Sequence, residues 1–308
     1  MKAGVFTASG FGDGLIMMLV ANALKQEGLT VVFYNQHLLS LGERFDGILF
    51  SLPPKISTIP SIGKSLDCIF LQHDNSPLAK SLITLRKQGL RVIAFYSNHQ
   101  QKKHGQLHED DWVLPAEKPI VHGLQEAMTK FLHKPVSRSI GMSPWKTANP
   151  SKKVVLHPFS TSSQKNWPWQ KFLRLGKEIA SLGYEPHFCM SPKERATCDQ
   201  KGLSIPHLPT LSSLVDFLAD AACFIGNDSG PGHLASYMQI PSIILSGNPW
   251  IQHWQPGWQP ATLITPSIWI PKAKAAFRMR ERFWQKWVSI NKVLKTFSSM
   301  VDVDPLLR

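Results

Sequence analysis

Cysteine is scarce in this sequence, and long apolar runs are absent. The four cysteines are scattered, with no C-x-x-C pair: Cys68, Cys189, Cys198 and Cys223. This usage indicates the reduced thiols of a cytoplasmic protein and excludes a disulfide scaffold. The apolar run from Leu15 to Ala21 is far shorter than the roughly 20 residues of a membrane span. Because the amino terminus also shows no signal-peptide pattern, we expect a cytoplasmic protein without a membrane-spanning segment.

Acidic residues are few relative to basic ones. The 308 residues include 34 Lys and Arg against 21 Asp and Glu, a formal net charge of +13. This excess favours an anionic partner, and nucleic acid, acidic lipid, phosphorylated glycolipid and nucleotide substrates all fit it. With 43% hydrophobic and 18% charged residues, the chain is not largely disordered. Its length predicts about two domains, each with a full core.

Short apolar runs alternate with amphipathic stretches in both halves of the chain. Their nearly continuous apolar character predicts parallel strands buried on both faces, and the alternation predicts an α/β doubly wound fold. The expected strands are residues 3–7, 29–34, 45–50, 66–71, 91–96, 112–114, 153–157, 185–190, 223–226, 242–245 and 262–265. The expected helices are residues 15–26, 77–88, 119–132, 168–182, 192–200, 211–219, 233–239 and 277–297.

The alternation lapses once, in a segment containing proline and serine, which predicts a linker. We expect a Rossmann-like domain at residues 1–140, the linker at 141–152, a second Rossmann-like domain at 153–276, and a C-terminal helix and tail at 277–308. Two such domains are expected to face a cleft that binds the ligand.

The first motif is G-F-G-D-G at residues 10–14, after the opening strand. Its glycines allow a tight turn, but the spacing is not G-x-G-x-x-G, and the carboxylate of Asp13 would repel a pyrophosphate. Asp13 therefore suits a general base facing the cleft. The alternative is an aspartate that caps the following helix.

The second motif is F-I-G-N-D-S-G-P-G-H-L-A at residues 224–235, between a strand and a helix. Ser229, Gly230 and Gly232 offer backbone N–H donors at the positive end of the helix dipole, where a diphosphate binds well. Asp228 suits a sugar hydroxyl, and His233 suits a phosphate. The alternative is that Asp228 or Ser229 merely caps the helix and that His233 lies on the surface.

The third motif is H-P-F-S-T-S-S-Q-K-N-W-P at residues 157–168. Its hydroxyl groups and Lys165 suit a phosphate or a leaving diphosphate, although a solvated loop is the alternative. Twelve histidines show no zinc-site spacing, and the D-x-D at residues 302–304 lies in the tail, away from any phosphate loop. We therefore expect no metal and no other cofactor.

These segments together resemble glycosyltransferase family 9, the ADP-heptose:lipopolysaccharide heptosyltransferases. The resemblance rests on G-D-G-L at residues 12–15, on the segment 157–168, and on D-S-G-P-G-H-L-A at residues 228–235. It implies the GT-B fold, with two Rossmann-like doubly wound domains facing each other across a deep cleft and a C-terminal helix packing back. The acceptor would bind the N-terminal domain and the sugar nucleotide the C-terminal domain.

The resemblance also implies a reaction. An inverting glycosyltransferase would move heptose from ADP-heptose to a lipopolysaccharide core or a related glycan. Asp13 would deprotonate the acceptor hydroxyl, and Lys165 would act on the donor phosphate. The acceptor-binding arginines of the family are not recognisable, and the remaining candidates for that role are Gly12, Gly14, Lys102, Lys103 and His104.

The same resemblance implies roles for the other donor-site residues. Asp228 would bind the heptose hydroxyls, while Ser229, Gly230 and His233 would hold the diphosphate. Glu194 lies where the family often has a carboxylate that binds the nucleoside ribose, although a solvated glutamate at a helix start is an equal alternative.

The implied partners are an ADP-sugar and an anionic glycolipid acceptor, with no nucleic acid. The basic and aromatic stretch 277–297 could either lie on an anionic membrane at the inner face of the cytoplasmic membrane or pack against the two domains. Three other functions remain open: a different sugar-nucleotide enzyme of this fold, such as an epimerase, a dinucleotide-dependent oxidoreductase, and a basic anion-binding protein without catalytic activity.

Overall fold

The computed structural model of the chain contains two compact units. They divide between Pro144 and Trp145, within the segment 141–152 that the sequence predicts as a linker. Each unit is built on one parallel sheet. The structure describes residues 1–143, 151–197, 202–248, 250–266 and 283–301.

The first unit has a six-stranded parallel sheet. Its strands are β1 (Lys2–Phe6), β2 (Thr30–Tyr34), β3 (Ile48–Ser51), β4 (Cys68–Gln72), β5 (Arg91–Tyr96) and β6 (Trp112–Val113), in the spatial order β3-β2-β1-β4-β5-β6. Its helices are α1 (Phe11–Gln26), α2 (Ile59–Lys64), α3 (Pro77–Thr84), α4 (Gln101–His104) and α5 (Ile120–Leu132), with 3₁₀ turns at Leu38–Arg44, Ile56–Thr58 and Leu85–Gln88.

Helices cover both faces of this first sheet. Phe70 of β4 contacts Phe131 of α5 edge-on, at 5.3 Å between ring centroids. The neighbouring residues of β4, Ile69 and Leu71, point to the opposite face, where they share a core with Leu82 of α3. Because side chains alternate along a strand, burial of successive residues requires helices on both faces, as in a doubly wound fold.

The second unit has a five-stranded parallel sheet. Its strands are β7 (Lys153–His157), β8 (Glu185–Phe188), β9 (Cys223–Asn227), β10 (Ser242–Leu245) and β11 (Thr262–Ile264), in the order β11-β10-β9-β7-β8. Its helices include α6 (Trp169–Ser181), α7 (Pro192–Arg195), α8 (Leu211–Leu218), α9 (Gly230–Tyr237), α10 (Ile251–Trp254) and α11 (Ile290–Met300), with a 3₁₀ turn at Ser163–Lys165.

The C-terminal helix α11 packs on α6 in the core of the second unit. Val293 and Phe297 of α11 are fully buried there beside Phe172, and Trp284 joins the same core. The prediction of one helix over residues 277–297 is wrong, because the helix breaks after residue 287. Ser289 then begins α11 by accepting a hydrogen bond from the Lys292 N–H at 3.2 Å. Residues 277–282 lie outside the described ranges.

The predicted α/β class with two Rossmann-like units is confirmed. Two helices nevertheless begin earlier than the sequence predicts. Helix α1 begins at Phe11 and not at residue 15, and α9 begins at Gly230 and not at residue 233. Gly12 and Gly14 of the first motif, and Gly230 and Gly232 of the second, therefore lie in a first helical turn and not in a preceding loop. No helix within the described residues is both long and apolar enough to cross a membrane.

Candidate functional site

Asp13 lies at the carboxyl edge of the first sheet, in the first turn of α1. Gln72, the last residue of β4, donates from Nε2 to Asp13 Oδ1 at 2.7 Å. The Oε1 atom of the same amide accepts the N–H of Ala8 at 3.1 Å. The Ala8 N–H can only donate, so the oxygen of the Gln72 amide must face it. The NH₂ group of the same amide then faces Asp13.

Asn35 fixes the backbone on the other side of β1. It is buried after β2 and donates to Thr7 Oγ1 at 2.7 Å and to the Gly10 carbonyl at 3.3 Å. A Cβ on Gly14 would come within 3.0 Å of the Asn35 Nδ2 atom, so Asn35 would have to shift to accommodate any other residue there. Gly14 is buried here, and Gly12 is half-buried in the same turn.

The environment of Asp13 adjusts its basicity. Burial raises the pKa of the carboxyl above its ordinary value, and the negative charge of Asp74 raises it further. Hydrogen bonds from Gln72 and from the Gly10 backbone lower it, but the net shift is upward. A carboxylate with a raised pKa is a better proton acceptor near neutral pH. Asp13 therefore also contacts the start of α1, whose N-cap residue is Gly10, and its role as a general base stays a prediction.

In the second unit, Asn227 ties two loops together at the carboxyl edge of the sheet. This buried last residue of β9 accepts the Trp167 N–H at 2.9 Å and donates to the Pro158 carbonyl at 2.6 Å. Trp167 and Pro158 belong to the loop between β7 and α6. The second and third sequence motifs are therefore fixed against each other by one amide.

Lys165 and Asp228 meet across these two loops. The Lys165 Nζ lies 3.7 Å from Asp228 Oδ2. The lysine side chain is about half exposed, whereas the aspartate is largely buried. The structure thus brings a cation and a carboxylate from separate motifs to the edge where helix α9 begins.

The start of α9 holds the remaining residues of the second motif. Ser229 is the N-cap residue, but its side chain donates to the Asn227 carbonyl at 3.0 Å and does not cap the helix. Gly230 is the first residue of the helix, and a proline follows it in the first turn. The interpretation of Ser229 as a simple helix cap is therefore wrong.

His233 is buried, with 7% of its surface exposed, so the alternative of a surface histidine is wrong. Burial lowers the pKa of its imidazole to about 4, which makes it neutral at pH 7. Its Nδ1 atom has no hydrogen-bond partner within the part of the chain that the structure describes. A buried polar atom without a partner is costly, and a ligand that supplies one is favoured.

Three further candidates lie outside these two groups of residues: Glu194 in the second unit, and Lys102 and Lys103 in the first. Glu194 accepts the Ser191 N–H at 2.7 Å, while Ser191 Oγ accepts the Glu194 N–H at 3.3 Å, which forms a capping box at α7. Lys102 and Lys103 are exposed on α4, after β5. Their role in acceptor binding stays a prediction.

The C-terminal segment supports the loop that carries Lys165. Trp284 Nε1 and Gln285 Nε2 both donate to the Gln164 carbonyl, at 3.1 and 2.8 Å. Trp167 Nε1 in turn donates to the Val288 carbonyl at 3.1 Å. The segment 283–288 and the β7–α6 loop therefore hold each other in place.

Sequence reasoning missed three buried amides, Asn35, Gln72 and Asn227. Each follows or ends a buried strand, and each joins backbone segments that are distant in sequence. The signal that could have found them is an amide side chain at the carboxyl end of an otherwise apolar strand. Among the described residues, no group of three or more His, Cys, Asp or Glu side chains is arranged to hold a metal ion.

Comparison with known proteins gives one family and several structures. The family described as glycosyltransferase family 9 (heptosyltransferase) matches residues 84–281, more than half of the chain. No curated protein sequence matches. The E. coli heptosyltransferase WaaC with ADP is 14% identical, with a TM-score of 0.69 over 97% of this chain and 100% of that one.

Two further structures are similar. The E. coli ADP-heptose LPS heptosyltransferase II is 16% identical, with a TM-score of 0.70 and 98% of both chains covered. The E. coli WaaC with ADP-2-deoxy-2-fluoro heptose is 14% identical, with a TM-score of 0.67 over 97% of this chain and 99% of that one. At these identities the likeness shows a common fold.

Proposed function

This chain belongs to glycosyltransferase family 9, and from that premise we propose that it transfers heptose from ADP-heptose to a lipopolysaccharide core or a related glycan, with inversion at the anomeric carbon. It is a glycosyltransferase by family. The identity of the donor and the acceptor is the proposed part. The observation that carries it is the meeting of Lys165 and Asp228 beside the start of α9.

In this proposal the second unit holds the donor. The helix start at Ser229 and Gly230 and the ammonium group of Lys165 stabilise the diphosphate, and the negative charge that develops on leaving ADP strengthens these contacts. Asp228 accepts hydrogen bonds from the sugar hydroxyls, and the diphosphate supplies a partner for the buried imidazole of His233. Two similar structures contain ADP and a fluorinated ADP-heptose, which supports an ADP-sugar here.

The first unit supplies the base. Asp13, held by Gln72 and made more basic by burial, takes the proton of the acceptor hydroxyl as that oxygen attacks the anomeric carbon. Attack from the side opposite to ADP inverts the configuration. Positive charge on Lys165 and the dipole of α9 serve the leaving group, so no metal and no further cofactor enters the proposal.

The proposal extends to the acceptor and its location. The net charge of +13 favours an anionic glycolipid presented at the inner face of the cytoplasmic membrane, and Lys102 and Lys103 are exposed after β5. Most of the basic residues between 272 and 295 lie outside the described ranges, so this part rests on charge alone.

The test is a thermal-shift series of the whole chain with ADP, UDP, GDP, CMP and NAD. We expect ADP alone to raise the midpoint, because a ligand at a hundred times its Kd stabilises the native state by about 2.7 kcal/mol. Lys165→Ala should reduce the ADP shift, whereas Lys177→Ala, at an exposed position of α6, should leave it intact. A shift with NAD and none with ADP would contradict the proposal and favour an oxidoreductase.

A further inference from the structure

Three histidines surround Tyr96 at the carboxyl edge of the first sheet. His73 follows β4, and its ring lies 4.7 Å from the Tyr96 ring, measured between centroids. His104 of α4 lies 5.3 Å from His73 and 5.4 Å from Tyr96. His99 lies 5.2 Å from His104. We call these four residues the imidazole cluster.

Two ring nitrogens of the cluster are buried and have no partner within the described residues. They are His73 Nδ1 and His104 Nε2. The other nitrogen of His104, Nδ1, accepts the Gln100 N–H at 2.8 Å, so the proton of the neutral ring is on Nε2. His104 therefore presents a hydrogen-bond donor with nothing to accept it, and His73 is itself only 9% exposed.

By contrast, His99 is satisfied, because its Nε2 lies 3.1 Å from the Gly105 carbonyl and donates to it. The two unpartnered nitrogens therefore belong to the His73–His104 pair. Buried polar groups in folded proteins are nearly always hydrogen-bonded, and exceptions often mark a place that a ligand completes.

Charges of both signs surround the pair, with cations near His104 and two carboxylates near His73. The positive charge of Lys80 on α3 lowers the pKa of both His73 and His104, and the charge of Lys103 lowers the pKa of His104. The negative charges of Asp74 and Asp111 raise the pKa of His73. Burial comes first among the causes and lowers the pKa of both imidazoles, which favours their neutral form. An anion in contact with the rings would reverse this and favour proton uptake.

The imidazole cluster lies at the same edge of the first sheet as Asp13. His73 is the next residue after Gln72, whose amide donates to Asp13. Asp74 is close enough to influence the carboxyl of Asp13 as well as the imidazole of His73. A group bound by the cluster would thus lie on the same edge as the hydroxyl that Asp13 deprotonates.

We propose that His73 and His104 form a subsite for an oxyanion group of the acceptor, a phosphate or a carboxylate. The proposal rests on the proposed function for the identity of the ligand as an acceptor, but the anion site itself does not. Oxyanion binding gives His104 Nε2–H an acceptor, and protonated His73 gives the anion a second donor. Binding therefore strengthens as the pH falls.

The test uses the whole chain labelled with ¹⁵N-histidine and NMR detection of the ring nitrogens. Signals are assigned with His73→Gln and His104→Gln. Inorganic phosphate and, separately, acetate are added at constant ionic strength, with chloride as the reference. We expect saturable shifts of the His73 and His104 signals and a rise of about 0.5 to 1 unit in their pKa. A response to phosphate but not to acetate identifies the oxyanion as a phosphate, and a response to acetate but not to phosphate identifies it as a carboxylate.

The matched control is His133→Asn, which removes an exposed imidazole outside the cluster at a positive φ that asparagine tolerates. It should keep the phosphate response, whereas His104→Gln should weaken binding at His73 by about tenfold or more. If a cluster variant fails to fold, the unmodified chain decides, because its two pKa values either rise with an anion or do not.

Absence of saturable shifts with both anions would overturn the subsite. This result is separate from the donor test. If the chain binds phosphate at the cluster but does not bind ADP, the subsite stands and the proposed donor is wrong. If it binds ADP but shows no phosphate binding at the cluster, the donor stands and the subsite is wrong.

Discussion

At the scale of single residues, the candidate base depends on an amide that sequence inspection passes over. Gln72 both holds Asp13 and lowers its pKa, whereas burial and Asp74 raise it. The balance leaves a carboxyl whose pKa is higher than that of an exposed aspartate. The position of Asp13 and its basicity are therefore set by the same few contacts.

Asp13→Asn tests whether this carboxyl is the base. The change keeps the shape and can still accept a hydrogen bond from Gln72, but it removes the proton acceptor. Turnover should fall by about a hundredfold or more, with donor affinity unchanged. Steady-state kinetics and calorimetry give the two quantities, and near-normal turnover would assign Asp13 to the helix start alone.

Gln72→Met tests the positioning of the base. Loss of the amide removes an interaction that lowers the pKa of Asp13, so this pKa should rise. The acid limb of the pH–rate profile should then move to higher pH, and kcat should fall while the KM for the donor stays constant. The control Gln88→Met makes the same change at an exposed position. An unshifted acid limb would show that Gln72 supports only the backbone.

At the scale of elements, strands are easier to predict than helix starts. Each strand that the structure describes overlaps a predicted strand, because most of them are covered on both faces and are nearly continuous in apolar residues; β8, which contains Glu185 and His187, is the exception. The starts of α1 and α9 were missed because glycine and proline were interpreted as loop residues. In the fold they occupy first turns, where Pro231 needs no N–H partner and Gly14 admits Asn35.

A candidate motif is easiest to identify where several of its residues are close in sequence. Lys165 and Asp228 belong to such motifs, and the structure brings them together. Asn227 bonds to Trp167, which is 60 positions away in the chain, and Gln72 bonds to Asp13, which is 59 positions away. A lone amide has no periodic pattern, so sequence alone could not identify its partner.

Trp284→Ala tests the contact between the C-terminal segment and the Lys165 loop. The side chain is fully buried and donates to the Gln164 carbonyl. Its removal should cost about 3–5 kcal/mol in the free energy of unfolding and should weaken ADP binding through the loop. Urea unfolding and calorimetry measure the two effects.

The matched control is Trp250→Ala, since Trp250 is 65% exposed. It should leave the free energy of unfolding within about 0.5 kcal/mol of the parent. Equal losses of stability in the two variants would contradict the role given to Trp284.

At the scale of the whole molecule, buried imidazoles make stability depend on pH. Burial lowers the pKa of His233 to about 4 and also lowers the pKa of His73, His157 and His187. An unfolded imidazole titrates near about 6.5. Between these values the unfolded chain binds more protons than the folded chain, so the free energy of unfolding falls as the pH is lowered.

The expected loss from His233 alone is about 2 kcal/mol between neutral pH and about pH 5. Urea unfolding over this range measures it. His233→Gln should have a shallower dependence on pH, whereas His207→Gln, at an exposed position, should keep the slope of the parent. The raised pKa of Asp13 acts in the opposite sense as pH rises above about 4. A flat profile would contradict a neutral buried imidazole.

The most direct test of the account is a calorimetric titration of ADP and ADP-heptose into the parent chain, Asp228→Ala, His233→Ala and the control His207→Ala. Loss of His233 should weaken both ligands, because the imidazole is assigned to the diphosphate. Loss of Asp228 should weaken ADP-heptose and leave ADP nearly unchanged, because the carboxylate is assigned to the sugar; each loss should be about tenfold or more. Parent-like affinity for ADP-heptose in both variants would contradict a donor site at the start of α9.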